Sequence, residues 1–185
     1  MPNKMPKEYT GGIGLSGTLA LRNYVENGGR LVTLDASSDF FIQQFGLPLK
    51  NVVSSTPSTS FFIPGSLVSI DVKTDDVLTS GMQKESVAYF VRSRAFDIVE
   101  MSKKGEGGVE KRKQPPSQPV KVLANYAKDD ILLSGWAIGE KKHIGGKIAM
   151  AETKLGSGSV VLIGFRPQFR GQPRATFKLL FNSLY

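Results

Sequence analysis

The sequence predicts an α/β fold, a three-layer sandwich on a mostly parallel sheet with a β-rich insertion. Three observations carry that reading. A helix, a strand and a second helix follow one another between Gly11 and Gly46, the alternation expected of α/β proteins. The apolar run "VVLIGF" gives way to the polar loop "RPQFRGQ", as at the carboxyl end of a buried strand, where open α/β sheets bind ligands. The closing segment "RATFKLLFNSLY" puts Phe177, Leu180, Phe181 and Leu184 at helical spacing, an amphipathic helix.

Element by element, "GTLALRNYVENGG" carries a helical period, with Ala20, Leu21, Tyr24 and Val25 on one face. Ser16 suits the N-cap, and Gly28 or Gly29 the left-handed stop. "RLVTLD" is a short strand rich in β-branched and aliphatic residues, and "ASSDFFIQQFG" a loop and short helix closed by Gly46. From about residue 60 to 130 the pattern turns to strands broken by Pro, Gly and Asp-Asp turns: "FFIPGSLVSIDV", "SVAYFVRSRAFDIV" and "VKVLANY", with "ILLSGWAIG" just beyond. This is the β-rich insertion, with a flexible Lys/Gly/Pro-rich loop at 102–119. "KIAMAETKLGSGSVVLIGF" reads as a hairpin with strands 147–153 and 159–165 turning at "GSG". No buried strand precedes Gly11, so the first strands of the domain are expected to lie in residues outside this chain.

Composition bounds the chemistry. The 185 residues suit one domain, 1–185, with core enough to fold without staples. There is no cysteine and only one histidine, His143. Disulfides, thiolate zinc sites and cysteine nucleophiles are excluded, and imidazole-based metal sites and Ser-His-Asp catalysis are disfavoured. The net charge is +8, but no stacking aromatics lie among the lysines near 102–119, so nucleic acid is not an expected partner. No apolar run approaches membrane-spanning length, and "MPNKMPKEYT" lacks the apolar stretch of a signal peptide.

Several motifs invite chemistry and each has a plainer explanation. Gly12, Gly14 and Gly17 spell G-x-G-x-x-G, with Asp35 about where a ribose-binding acid would stand. The fingerprint needs a strand to deliver its glycines, and "NKMPKEYT" is a poor one. Asp75–Asp76 and Asp129–Asp130 suit turns better than paired acid/base work. His143 reads as an exposed loop residue. Trp136 is either a core or an interface anchor. Arg166, Arg170 and Arg174 either cover apolar surface or clamp an anion.

The segments "MPKEYTGGIGLSGTLALRNYVENGGRLVTLD", "FGLPLKNV", "ILLSGWAIGEK" and "GSVVLIGFRPQFRGQPRATFKLLFNSLY" resemble the C-terminal domain of bacterial proteins whose N-terminal part is a zinc carboxypeptidase of the carboxypeptidase A superfamily. That domain resembles the class I glutamine amidotransferase fold, which is flavodoxin-like. Amidotransferases carry a cysteine on the sharp turn after a central strand; the matching turn here holds Asp35, Ala36, Ser37 and Ser38. Their histidine and glutamate come from a motif like Phe-His-Pro-Glu, matched here by Phe165, Arg166, Pro167 and Gln168. Arginine stays charged and shuttles no proton near neutral pH, and glutamine supplies no negative charge.

The resemblance therefore implies a catalytically silent accessory domain, a pseudoenzyme, in a secreted or periplasmic protein. No cofactor is expected in this chain; zinc and peptidase activity belong to the parent's other domain. The expected contacts are Asp35, Ser37, Arg166, Gln168 and Arg170, made to a ligand or to acidic groups of the peptidase domain; a homo-oligomer is also possible. Two rival readings are a hydrolase using Ser37 or Ser38, and a binding module for a nucleotide, sugar or anion at Gly12, Gly14, Gly17 and Arg166.

Overall fold

A computed structural model describes residues 11–99, 119–171 and 173–185 of the chain. The expected flexible loop lies, apart from Pro119, outside the described residues. In chain order the elements are α1 (Gly14–Glu26), β1 (Arg30–Leu34), α2 (Ser37–Phe45), β2 (Leu49–Asn51), β3 (Ser66–Val72), β4 (Glu85–Phe90), β5 (Phe96–Ile98), β6 (Val120–Tyr126), β7 (Leu132–Ser134), α3 (Glu140–Ile144), β8 (Ile148–Leu155), β9 (Gly158–Ile163) and α4 (Phe177–Leu184). Short 3-10 turns stand at Val77–Thr79 and Arg174–Thr176.

The sheet runs β1-β9-β8-β6-β3-β4, with β2, β5 and β7 attached to its flank. It is mixed, which corrects the expectation of a mostly parallel sheet. Only β1 and β9 pair in parallel among the described strands; the remaining pairings are antiparallel. The reason lies in the connections. Parallel neighbours need a crossover of a dozen residues or more, whereas β8 and β9 meet across Gly156 and Ser157 in a tight hairpin, with Leu155 opposite Gly158. Strands β3, β4 and β6, from the β-rich stretch, hydrogen-bond into this same sheet rather than forming a second one.

Two apolar clusters flank the sheet and make three layers. On β9 the side chains alternate: Val160 and Leu162 pack with Val25 of α1 and with Phe41 and Phe45 of α2, while Val161 and Ile163 pack with Leu179 of α4 and with Phe90, Tyr126 and Ile144. This is the period-two consequence of a strand buried on both faces.

Local expectations fare unevenly. Helix α2 ends at Gly46 with φ +63°, and Gly28 takes φ +106° after α1, the left-handed stops that glycine adopts most easily. Ser16 lies inside α1 rather than capping it, since the helix begins at Gly14. The buried face of α1 is Thr18 and Val25, with Tyr24 exposed against Gly29. In α4 the inner face is rotated from the expected one: Leu179 and Ser183 are buried, Phe177 and Leu180 are half-buried, and Phe181 and Leu184 are exposed. Polar bonds accompany this orientation. Lys178 Nζ donates to the Gly81 carbonyl at 2.7 Å and Asn182 Nδ2 to the Ser80 carbonyl at 2.9 Å, tying that face to the 78–81 loop. No helix among the described residues is long and apolar enough to cross a membrane.

Candidate functional site

Strands β1 and β9 run in register, Leu34 opposite Ile163, so their carboxyl ends finish side by side. The residues that follow them meet. After β1 the chain makes a sharp strand-to-helix turn at Asp35, whose φ is +50°, and enters α2 at once. A non-glycine residue in that region is strained, and such strain gathers at functional sites. The backbone holds the turn: Asp35 N–H donates to the Ile163 carbonyl at 2.8 Å, and Ser38 N–H to the Asp35 carbonyl at 3.1 Å.

After β9, Gly164 and the buried Phe165 bring Arg166 alongside. Arg166 Nε donates to Asp35 Oδ2 at 2.7 Å. A second guanidinium arrives from the loop before β5: Arg94 Nη1 lies 3.5 Å from Asp35 Oδ1, and Arg94 Nε donates to Asp39 Oδ2 at 2.8 Å. Gly164 makes that approach possible, because a Cβ there would lie 2.5 Å from the Arg94 carbonyl. Asp39 also accepts from Asn51 Nδ2 at 3.0 Å. Beneath the cluster, Tyr126 donates its hydroxyl to the Arg94 carbonyl at 2.7 Å. Burial pushes that phenol well above its ordinary range, and the Asp35 charge adds to the effect.

The turn therefore carries a carboxylate at the elbow, 7% exposed and gripped by two guanidiniums. Such pairing stabilises the anion: Oδ2 accepts from Arg166, while the buried Oδ1 has only the charge of Arg94 beside it and no hydrogen bond. The neighbouring hydroxyls are spent locally. Ser37 Oγ accepts from Leu34 N–H at 2.9 Å and donates to the Leu34 carbonyl at 2.8 Å. Ser38 is fully buried, its hydroxyl 3.0 Å from Thr33 Oγ1. His143 belongs to α3, not to an exposed loop; it is half-buried, its ring centroid 5.5 Å from that of Phe61.

The fold thus brings together Asp35, Ser37 and Arg166 of the expected contacts. Gln168 and Arg170 lie on the exposed loop beyond. There Phe169 stacks on Tyr89 at 4.6 Å, with the Arg166 and Arg170 guanidiniums 5.5 and 5.2 Å from its ring centre. Gly12 and Gly14 stand at the start of α1 and Gly17 within it; α1 leads into β1, so no described strand delivers them as the dinucleotide fingerprint requires. Among the described residues no group of three His, Cys, Asp or Glu side chains could hold a metal ion. Arg94, Asp39, Asn51 and Tyr126 escaped the sequence reading, since they converge through strand pairing and stand in no motif.

No family model matches the sequence. No curated protein matches it. Solved structures do share the fold. A β-galactosidase from Bacillus circulans sp. alkalophilus superposes with a TM-score of 0.52 at 13% identity, over 92% of this chain and 20% of that one. A putative ThuA-like protein from Bacteroides uniformis ATCC 8492 gives a TM-score of 0.51 at 15% identity, over 94% of this chain and 64% of that one. The chain thus spans about a fifth of the galactosidase and under two thirds of the ThuA-like protein. These identities speak to the fold alone, an α/β domain that here carries a mixed sheet.

Proposed function

We propose that this chain is a non-catalytic, amidotransferase-like accessory domain of a larger zinc carboxypeptidase-like protein, secreted or periplasmic, whose peptidase chemistry lies in another part of that protein. One observation carries the non-catalytic reading. The elbow, where an amidotransferase keeps its nucleophile, holds Asp35, locked by Arg166 at 2.7 Å and Arg94 at 3.5 Å. The position following β9, where the resemblance places the histidine base, holds Arg166 itself. The two residues that would react instead neutralise each other, and the elbow becomes a tie between adjacent strands. The link to a peptidase rests on the sequence resemblance.

The test is hydrolysis of p-nitrophenyl esters and of glutamine amides by the purified chain. Rates equal to the blank are expected for the wild type and for Asp35→Ala, Ser37→Ala and Ser38→Ala alike. Turnover that survives purification and is lost in any of these variants would replace the accessory reading with the hydrolase. For the parent link, the full-length protein is expected to trim peptide C-termini in a zinc-dependent way, with kcat unchanged by Arg166→Gln.

A further inference from the structure

A cleft of about 760 Å³ opens beside the Asp35 cluster, lined among others by Asp39, Asn51, Phe62, Arg92, Arg94 and Trp136. That volume suits a small ligand. Trp136 is 53% exposed, yet its backbone is fixed. Ser66 Oγ accepts from Trp136 N–H at 2.9 Å and donates to the Trp136 carbonyl at 2.7 Å. Gly135, at φ +102°, permits this approach: a Cβ there would lie 2.6 Å from Ser66 Oγ. The indole meets Phe62 edge-on, centroids 5.9 Å apart. A large apolar ring thus stands half in water on a fixed backbone.

The exposed guanidinium of Arg92 lies 5.5 Å from the centre of the Phe62 ring. Arg92 has φ +49°, a conformation that costs a side-chain-bearing residue energy and collects at ligand clamps. It is pinned on both sides: its N–H donates to the Ile63 carbonyl at 2.9 Å, and its carbonyl accepts from Arg94 Nη1 at 2.6 Å. The cleft's carboxylate, Asp39, is already engaged by Arg94 and Asn51. Among the described residues no carboxylate pairs with Arg92, so the cleft presents one unspent cation next to an aromatic platform. Thr56 and Ser58 add hydroxyls at its rim.

We propose that this cleft binds an acidic saccharide, one sugar ring laid on Trp136 and its carboxylate paired with Arg92. The apolar C–H face of a sugar suits the negative face of an indole. A carboxylate suits a guanidinium fork, and the one free guanidinium takes the carboxylate of the ring on Trp136, leaving any second uronate carboxylate in solvent. The cleft shares Asp39, Asn51 and Arg94 with the edge of the elbow cluster, but the proposed contacts, Trp136 and Arg92, lie outside it, and the proposal holds whether or not the accessory reading does.

Trp136 is the chain's single tryptophan, so its emission reports from the site alone. Digalacturonate is expected to change that emission saturably, with a Kd of roughly millimolar or tighter. Lactose, as neutral control, is expected to bind about tenfold more weakly or worse. Arg92→Gln should weaken digalacturonate about tenfold and leave lactose unchanged, while Trp136→Ala, followed by calorimetry, should abolish binding of both. Both variants should keep the wild-type thermal midpoint. No saturable change with digalacturonate, equal affinity for lactose, or equal affinity for benzoate would each overturn the proposal.

Discussion

Arg166 Nε reaches Asp35 Oδ2 at 2.7 Å across 131 residues of sequence, joining the ends of the two parallel strands. The Asp35 side chain is 10% exposed and that of Arg166 42%. Removing one partner of a fully buried pair costs about 3–5 kcal/mol; solvent at Arg166 reduces this, and about 1–3 kcal/mol is expected for Asp35→Asn. Asparagine keeps the shape and tolerates the left-handed backbone, so the loss would report charge alone. Urea unfolding should show a lower midpoint with an unchanged m-value. A variant as stable as the wild type, or more so, would mark Asp35 as a strained functional carboxylate rather than a tie.

Tyr126 bears on the same cluster from below. Its hydroxyl donates to the Arg94 carbonyl at 2.7 Å, and Tyr126→Phe leaves that carbonyl unpaired, a loss of about 1–2 kcal/mol by chemical denaturation. The phenol's pKa is raised, by burial first and by Asp35 second. A raised folded value means that this contribution is complete below the unfolded phenol value of about 10 and is lost as pH rises through the folded one. Alkaline absorbance titration should therefore lose one late-ionising phenol in Tyr126→Phe.

What the sequence made legible is local. The α2 stop at Gly46 and the β8–β9 hairpin rest on signals within a few residues, and both are present. The meeting of the "LDASS" turn with "GFRPQ" was legible only through resemblance, because in-register pairing of β1 and β9 creates it. Strand direction in the middle of the sheet was not legible, since antiparallel pairing there is decided by which short connections close. Arg92 and Arg94 stand in "VRSRAFD", a strand-like stretch; the chain leaves the sheet there, with Arg92 left-handed, and that departure aims both side chains.

The rotated inner face of α4 gives a sharp contrast. Leu179 is fully buried among Leu78, Val161 and Ile163, whereas Phe181 is 55% exposed. Leu179→Ala should cost about 2–4 kcal/mol, as a core truncation does. Phe181→Ala should stay within about 0.5 kcal/mol, as a surface change does. Thermal unfolding of the two variants separates them. If Phe181→Ala proves the costlier, the amphipathic stripe read from the sequence is the true inner face.

A last prediction concerns acid. Asp76 Oδ1 accepts from Leu78 N–H at 2.9 Å, capping the 3-10 turn against which α4 packs, and its carboxylate also pairs with Lys121. Burial alone would raise this carboxyl, but the Lys121 ammonium, the Leu78 N–H and nearby positive charge outweigh burial and lower it. The sign follows: a depressed folded pKa gives stability that is full above the unfolded value of about 3.9 and is lost as pH falls through the folded one. Asp76→Ala should therefore cost about 1 kcal/mol near neutral pH, through the lost cap. The gap to the wild type should narrow below about pH 4 as the wild-type carboxylate takes up its proton. Thermal midpoints of both proteins, followed from pH 7 to pH 3, check this. A gap that stays constant across that range would mean that the Asp76 charge contributes nothing to holding α4 in place.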